Sequence, residues 1–426
     1  MNPTTICPGD DHVVTIPGSK SITHRALIAG GLAAGKTVLK NDLRCEDTRY
    51  TAHALKAMGV KMEQNGETLT MEGIGGGACE QPFEKALYLG NSGTSFRLLL
   101  PVLALAKGRF LMTGTPRMRE RPMGPLVDAL QKLGAKVFCT NHNGLPPVHI
   151  ASDGIPGGAV MLPGDASSQF LSALLLSGPY AEKDVEITVK GDLVSRPYVD
   201  VTVHVMAAFG VEVEREGYTK FRVPSGQHYE PRDYTVQGDA SSASYFWAGA
   251  AVTGRTVTTR NIHPGGRQGD IQLLEIFEAM GCTVVRESDR VSVTGGPLKG
   301  IDVDMGAMPD MVPTLAAAAL FADGKTTIRN VGHLRFKESD RLSAVAGEWQ
   351  KLGGRVEEFE DSLVVHGGHT LCGTQVDPHD DHRLAMSLAV VGLKVPGVRI
   401  QNPACVGKSF PEFWDLWKGF HDAFIS

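Results

Sequence analysis

The sequence predicts an α/β protein of two domains, each built from three βαβαββ-like repeats, and three observations carry that prediction. Five segments share a helix that closes on glycine and feeds a short strand: ALKAMGVKM, ALQKLGAKV, HVMAAFGVEV, EIFEAMGCTV and EWQKLGGRV. Their glycines, Gly59, Gly134, Gly210, Gly281 and Gly353, fall at intervals of 75, 76, 71 and 72 residues. Each reads as a helix C-cap, where glycine enters the left-handed region without strain. A second series of turns, each before a β-branched strand, lies at Gly35, Gly108, Asp184, Gly254, Gly324 and Gly397, spaced 73, 76, 70, 70 and 73 residues apart. That series sets the number of copies at six. Finally, the run Gly-Asp-Ala-Ser-Ser occurs twice, beginning at Gly164 and at Gly238.

The elements follow in order. A strand, His12 to Ile16, has no helix before it. The stretch Pro17-Gly18-Ser19-Lys20-Ser21-Ile22-Thr23-His24-Arg25 then places a glycine turn, small hydroxyl residues and two cations ahead of an apolar helical face. This is how a helix N-terminus is built to hold an anion. Equivalent helix starts read NSGTSFRLL, DASSQFLSAL, DASSASYFW, PDMVPTLAAA and DHRLAMSLA. The sixth repeat runs out early, its last helix, Phe410 to Phe424, having no strand after it. The N-terminal strand is therefore expected to complete that repeat. On this reading one discontinuous domain takes 1–18 plus 239–426, the other is inserted as 19–238, and the chain crosses between them near Gly18 and Gly238.

Composition narrows the function. At 426 residues the chain exceeds one ordinary core, and two domains of roughly 200 residues each are expected. A net charge of −5 argues against nucleic acid or an anionic membrane as partner, so anionic ligands need local clusters of Lys and Arg. The seven cysteines, Cys7, Cys45, Cys79, Cys139, Cys282, Cys372 and Cys405, are scattered without a CxxC pair and read as reduced thiols in a cytoplasmic protein. The start MNPTTICPGDDHVV has neither a basic nor an apolar region, so no secretory signal is expected. The longest apolar run, Leu98 to Ala106, contains Pro101 and is about half a membrane span.

Several motifs need weighing. Gly30-Gly-Leu-Ala-Ala-Gly35-Lys36-Thr37 matches the Walker A letters, but its helix precedes it and its strand follows, the reverse of a phosphate-cradling loop, so it reads as a turn of the repeat. Gly73-Ile-Gly-Gly-Gly77 has no helix after it and reads as a loop. His379-Asp380-Asp381-His382 carries metal-ligand residue types, yet it opens a helix and is followed by Arg383, which favours capping and anion contact. No metal or cofactor is expected. Lys20, Arg25, Arg97, the run Arg117 to Arg121, Lys337, Arg341, Arg383 and Lys408 gather at or near the repeated helix starts and together suit phosphate and carboxylate groups. Among the carboxylates of interest, Asp239, Asp310 and Glu338, Asp310 stands at the fifth helix start, where capping is the plainer role, and Glu338 lies between Lys337 and Asp340-Arg341, where a surface ion pair is the plainer reading.

Ten ordered segments resemble the 5-enolpyruvylshikimate-3-phosphate synthases, enolpyruvyl transferases of the shikimate pathway: PGSKSITHRAL, GNSGTSFR, RERPM, GDASSQF, SRPY, GDASSASYF, Pro309-Asp310, LRFKESDRL, DHRLAMSLA and GKSFPEFW. They run from residue 17 to 414. The resemblance implies two inside-out α/β barrels, helices buried and sheets outward, with the active site in the cleft between domains that closes on substrate. It implies transfer of the carboxyvinyl group of phosphoenolpyruvate to the 5-hydroxyl of shikimate 3-phosphate, with release of phosphate, through a tetrahedral addition–elimination intermediate. By motif match, Lys20, Gly93, Arg121, Gln169, Arg341, Arg383 and Lys408 would surround phosphoenolpyruvate. Ser21, Arg25, Ser167, Ser168, Gln169, Ser195, Tyr198, Asp310, His333 and Lys337 would hold shikimate 3-phosphate. Asp310 would serve the 5-hydroxyl as base, and Glu338 with Lys20 the methylene proton.

Some positions depart from the commoner bacterial pattern: Leu98 replaces a proline, Ser92 and Ser95 replace alanines, and His333 replaces an asparagine. Glyphosate is the expected inhibitor, since Gly93 is kept where the family's pocket needs room. A sister family acts on UDP-N-acetylglucosamine and carries a cysteine on a mobile loop; the matching loop here, Gly114 to Met123, has none. A monomer is expected.

Overall fold

The computed structural model describes residues 12–76 and 83–425; Cys7, Cys79 and Gly77 lie outside them. By contacts the chain divides into two compact units, Met1–Pro17 with Gln237–Arg335 and Ser339–Ser426, and Gly18–Val236 with Phe336–Glu338. Each has its own apolar core, one running from Ile22 to Val236, the other joining Val14 and Ile16 to residues between Ala240 and Phe420.

The repeat is plainest at its second copy. Strand Phe83–Tyr88 leads to helix Gly93–Leu105, and strand Gly108–Thr113 returns parallel to the first. Helix Gly124–Lys132 then leads to a hairpin, Val137–Cys139 and Val148–Ser152, that extends the sheet antiparallel. A parallel return needs a crossover helix, and the hairpin does not, which is why the helices alternate with this spacing. Helix Gly93–Leu105 is buried from Ser95 to Leu105, and helix Val312–Ala319 is buried over its whole length. A helix apolar on every side belongs inside a core, so these helices fill the units. Strands such as Val185–Lys190 alternate buried and exposed, which turns one sheet face outward.

Among the described residues, five sheets have four strands and one has two. The two-stranded sheet, Gln375–Val376 with Arg399–Ile400, belongs to the sixth repeat, and the expectation that the N-terminal strand completes it is overturned. His12–Thr15 pairs parallel with Thr256–Arg260 of the fourth repeat. Asp233–Thr235, the strand leading into that fourth repeat, pairs instead with Ala34–Lys40 of the first. The two strands have exchanged sheets, because in-register pairing with a parallel neighbour does not depend on which strand precedes which helix. Each exchange is pinned the same way: Asn41 Nδ2 donates to the Val236 carbonyl at 2.7 Å and Asn261 Nδ2 to the Ile16 carbonyl at 2.8 Å. A Cβ on Gly18 would lie 1.8 Å from the Asn41 carbonyl oxygen, and one on Gly238 2.0 Å from that of Asn261. Only glycine admits so close a backbone approach.

Two further readings change or hold. Gly73 is not in a loop but on strand Thr68–Ile74, paired with Gly35. The Walker-like letters fall at the end of helix Lys20–Leu32 and on strand Ala34–Lys40, a helix-then-strand order that leaves no phosphate loop. Among the described residues no helix is long and apolar enough to cross a membrane.

Candidate active site

In the unit that contains Gly18–Val236, four cations are buried at helix starts: Lys20, Arg25, Arg97 and Arg121 are 8%, 1%, 5% and 2% exposed. Lys20 is the first residue of helix Lys20–Leu32, and its ammonium donates to Asp47 Oδ2 at 3.1 Å. Asp47 lies in the first turn of helix Glu46–Ala57, where a carboxylate suits the helix dipole. Arg25, one turn further along the Lys20 helix, faces neutral groups: Thr202 Oγ1 at 2.7 Å, the Ser21 and Tyr198 carbonyls at 2.8 and 3.1 Å, and Ser172 Oγ at 3.4 Å. Burial, opposed by Tyr198, pulls its guanidinium down to about 10.

Arg97 donates to Gln169 Oε1 at 2.8 Å, and Gln169 Nε2 donates to Thr94 Oγ1 at 3.1 Å. Burial, with Arg121 nearby and Glu338 opposing, pulls Arg97 down to about 9. Both groups remain charged at neutral pH. Arg25, held by neutral partners, lacks the countercharge that normally offsets desolvation, and an anionic ligand would supply it. Arg121 Nη1 donates to the Asn91 carbonyl at 3.1 Å and lies 3.6 Å from Glu338 Oε1. Lys337, in the same short segment as Glu338, accepts from Arg117 Nε through its carbonyl at 3.2 Å. Gly93 opens its helix so close to Arg121 that a Cβ would lie 2.5 Å from Nη2.

Serines stand at three further helix starts and cap two of them. Ser92 and Ser167 cap helices Gly93–Leu105 and Ser168–Ser177, accepting from Ser95 N and Gln169 N. Ser195 precedes helix Arg196–Ala208 at φ 54°, without a side-chain cap bond. A serine in the left-handed region is strained, and such strain gathers at functional sites. Tyr198 follows in that helix's first turn.

In the other unit, Asp310 lies in the 3₁₀ turn Pro309–Met311, ahead of helix Val312–Ala319. Its two oxygens accept from Arg341 Nη1 and Arg383 Nη2, each at 2.8 Å. Asp381 caps helix His382–Gly392 through Arg383 N at 3.0 Å. It also binds Arg341 Nε at 2.7 Å, which gives the His379–His382 cluster its structural role. Asp239 caps helix Ala240–Thr253 through Ser241 N, and the Ser241 hydroxyl donates to buried Asp270. Desolvation, helped by Asp310 and Asp239 and opposed by Arg383 and the Ser241 bond, pushes Asp270 up to about 6. Lys408 is buried in the turn Pro403–Lys408, and His333 is half-buried in the turn Gly332–Phe336.

Sequence reasoning missed Asp47, Asp270 and Asp381 as partners and did not assign Arg97 a ligand. Acids at helix starts carry the same signal whether they cap, pair or do chemistry.

Two α/β units whose buried helix starts concentrate arginine, lysine and aspartate suit small, multiply charged ligands. The model of EPSP synthase (3-phosphoshikimate 1-carboxyvinyltransferase) matches residues 11–417, and the chain belongs to that family. It is 47% identical over 410 residues to the 3-phosphoshikimate 1-carboxyvinyltransferase of Methanoculleus marisnigri, with 96% of each chain covered. It is 44% identical over 407 residues to that of an Enterobacter species, with 95% of each covered. Among solved structures, the EPSP synthase of Acinetobacter baumannii superposes with a TM-score of 0.80 at 32% identity, over 97% of this chain and 96% of that one.

Proposed function

We propose that the buried helix starts of this chain carry out its family's reaction. The chain transfers the enolpyruvyl group of phosphoenolpyruvate to shikimate 3-phosphate, in the shikimate pathway to aromatic amino acids. The observation that carries the residue assignment is the buried guanidinium of Arg25, whose hydrogen-bond partners are all neutral.

In this reading Lys20, Arg121, Arg341, Arg383 and Lys408 bind the phosphate and carboxylate of phosphoenolpyruvate, with Gly93 and Gln169 beside it. Ser21, Arg25, Ser167, Ser168, Gln169, Ser195, Tyr198, His333 and Lys337 bind shikimate 3-phosphate, and Asp310 meets its hydroxyls. The 5-hydroxyl proton passes to Asp310 as the oxygen attacks C2 of the enol. The methylene carbon takes a proton from Glu338, giving a tetrahedral intermediate that carries the phosphate. The Glu338 carboxylate then takes a proton back from the new methyl group, which expels inorganic phosphate and restores the double bond. Lys20, beside Asp47, stabilises charge on the departing phosphate, as fixed cations do where charge develops. No metal is needed for these steps. Glyphosate competes for the phosphoenolpyruvate subsite, and the enzyme acts in the cytoplasm as a monomer.

The test is phosphate release from phosphoenolpyruvate with shikimate 3-phosphate, with UDP-N-acetylglucosamine, or with neither, in the absence of added metal. Release that requires shikimate 3-phosphate is expected; release with the nucleotide sugar instead would overturn the reading.

A further inference from the structure

Three helices of one unit, Lys20–Leu32, Glu46–Ala57 and Gly93–Leu105, meet around four polar side chains with no exposed surface: His24, Thr51, Ser92 and Ser95 are each 0% exposed. His24 Nδ1 lies 2.7 Å from Thr51 Oγ1, Thr51 Oγ1 donates to Ser95 Oγ at 3.0 Å, and Ser95 Oγ donates to the Asp47 carbonyl at 2.9 Å. Ser92 Oγ is 2.7 Å from Ser95 Oγ.

The direction of this chain follows from its end. A carbonyl only accepts, so the Ser95 proton is committed to Asp47. The Thr51 proton is committed to Ser95, and both His24 Nδ1 and Ser92 Oγ must therefore act as donors. Every hydroxyl proton thus has one place to go. Alanine and valine would pack in the same space without burying polar groups, so what the four residues add is a fixed alignment of three helices.

That alignment matters at both ends. Asp47 holds the Lys20 ammonium. Ser92 and Ser95 flank Gly93, whose Cα has no room for a Cβ against Arg121, and the same helix carries Thr94 and Arg97, which hold Gln169. We propose that His24, Thr51, Ser95 and Ser92 are positioning residues for the phosphoenolpyruvate end of the site, tying the start of the Gly93 helix to the backbone of Asp47, the residue whose carboxylate seats Lys20. This rests on the assignment of Lys20, Gly93 and Arg121 to phosphoenolpyruvate. Of the shikimate 3-phosphate candidates, Ser21 and Arg25 share the helix of His24 and Gln169 is held by the Gly93 helix, whereas Ser167, Ser168, Ser195 and Tyr198 belong to other helices that the Thr51 and Ser95 hydrogen bonds do not reach; the test therefore alters Thr51 and Ser95 and leaves His24 in place.

The test uses Thr51→Val, which keeps the shape and removes the hydroxyl, Thr51→Ser, which keeps the hydroxyl, and Ser95→Ala, in the full chain. Each substrate is varied separately, and melting is followed alongside. Thr51→Val and Ser95→Ala should each raise the KM for phosphoenolpyruvate about threefold to tenfold, the scale of one lost buried hydrogen bond. The KM for shikimate 3-phosphate should stay within about twofold, Thr51→Ser should behave as the parent, and the double variant should be no worse than the poorer single one, because both break one chain. An unchanged KM for phosphoenolpyruvate in both variants overturns the relay, as do equal rises for both substrates or a Thr51→Ser enzyme as impaired as Thr51→Val. If Thr51→Val does not fold, Ser95→Ala decides alone, since alanine is favoured in a helix. A parent enzyme whose phosphate release ignores shikimate 3-phosphate would instead overturn the reading beneath the relay.

Discussion

Gly93 and Asp270 show how single residues set the chemistry. At Gly93 a Cβ would lie 2.5 Å from Arg121 Nη2 and 2.6 Å from Cζ, so the Arg121 guanidinium must move to admit alanine. Gly93→Ala should therefore raise the KM for phosphoenolpyruvate about tenfold, the cost of a small misplacement of a charged ligand, and weaken glyphosate inhibition more. An inhibition constant unchanged by the substitution would contradict the steric account. Asp270 is fully buried, and its carboxyl is pushed up to about 6 from an ordinary 3.8. A raised folded-state value means the stability it contributes is complete below the ordinary value and is lost as pH rises through about 6. Asp270→Asn should flatten that part of the profile of melting temperature against pH, between about pH 4 and pH 6.5. Parallel profiles for parent and variant would show that the carboxyl is not so perturbed. The motif letters made Lys20, Gly93 and Asp310 legible in the sequence. They left Asp47, Asp270 and Asp381 hidden, because an acid near a helix start looks the same whether it caps, as Asp381 does, or sits two residues into the turn and binds a lysine, as Asp47 does.

Elements were legible wherever periodicity or a turn residue marked them. The five C-terminal glycines of the repeated helices all adopt positive φ, from 83° at Gly210 to 114° at Gly281. The exchange of His12–Thr15 and Asp233–Thr235 was not legible, since both precede the same helix grammar and nothing in spacing encodes which sheet a strand joins. The C-terminal helix Phe413–Ile425 shows how apolar pattern becomes anchoring. Phe246 packs edge-on to Phe420 at 5.4 Å and tilted against Trp417 at 5.5 Å between ring centres. Phe246→Ala should cost about 3–5 kcal/mol of stability, the range for a large aromatic deleted from a core. Denaturant unfolding measures it, and the fraction that stays folded should keep its KM values. A loss below about 1 kcal/mol would mean the helix is not held by this cluster.

At the scale of the whole molecule, a chain of net charge −5 buries guanidinium and ammonium groups at repeated helix starts, so binding depends on local charge and not on the overall sign. Activity should survive exhaustive chelation, because the positive charge that stabilises phosphate departure is supplied by Lys20 and the arginines. Loss of activity with EDTA, restored by a divalent cation, would contradict that. The most direct test of the central claim is the reaction run in deuterium oxide with the product's vinyl group read by mass spectrometry and proton NMR. Addition followed by elimination turns the methylene into a transient methyl group, so deuterium should appear in the product's methylene, and Glu338→Gln should slow its entry. A product free of deuterium at that carbon would rule out the tetrahedral route and, with it, the role given to Glu338.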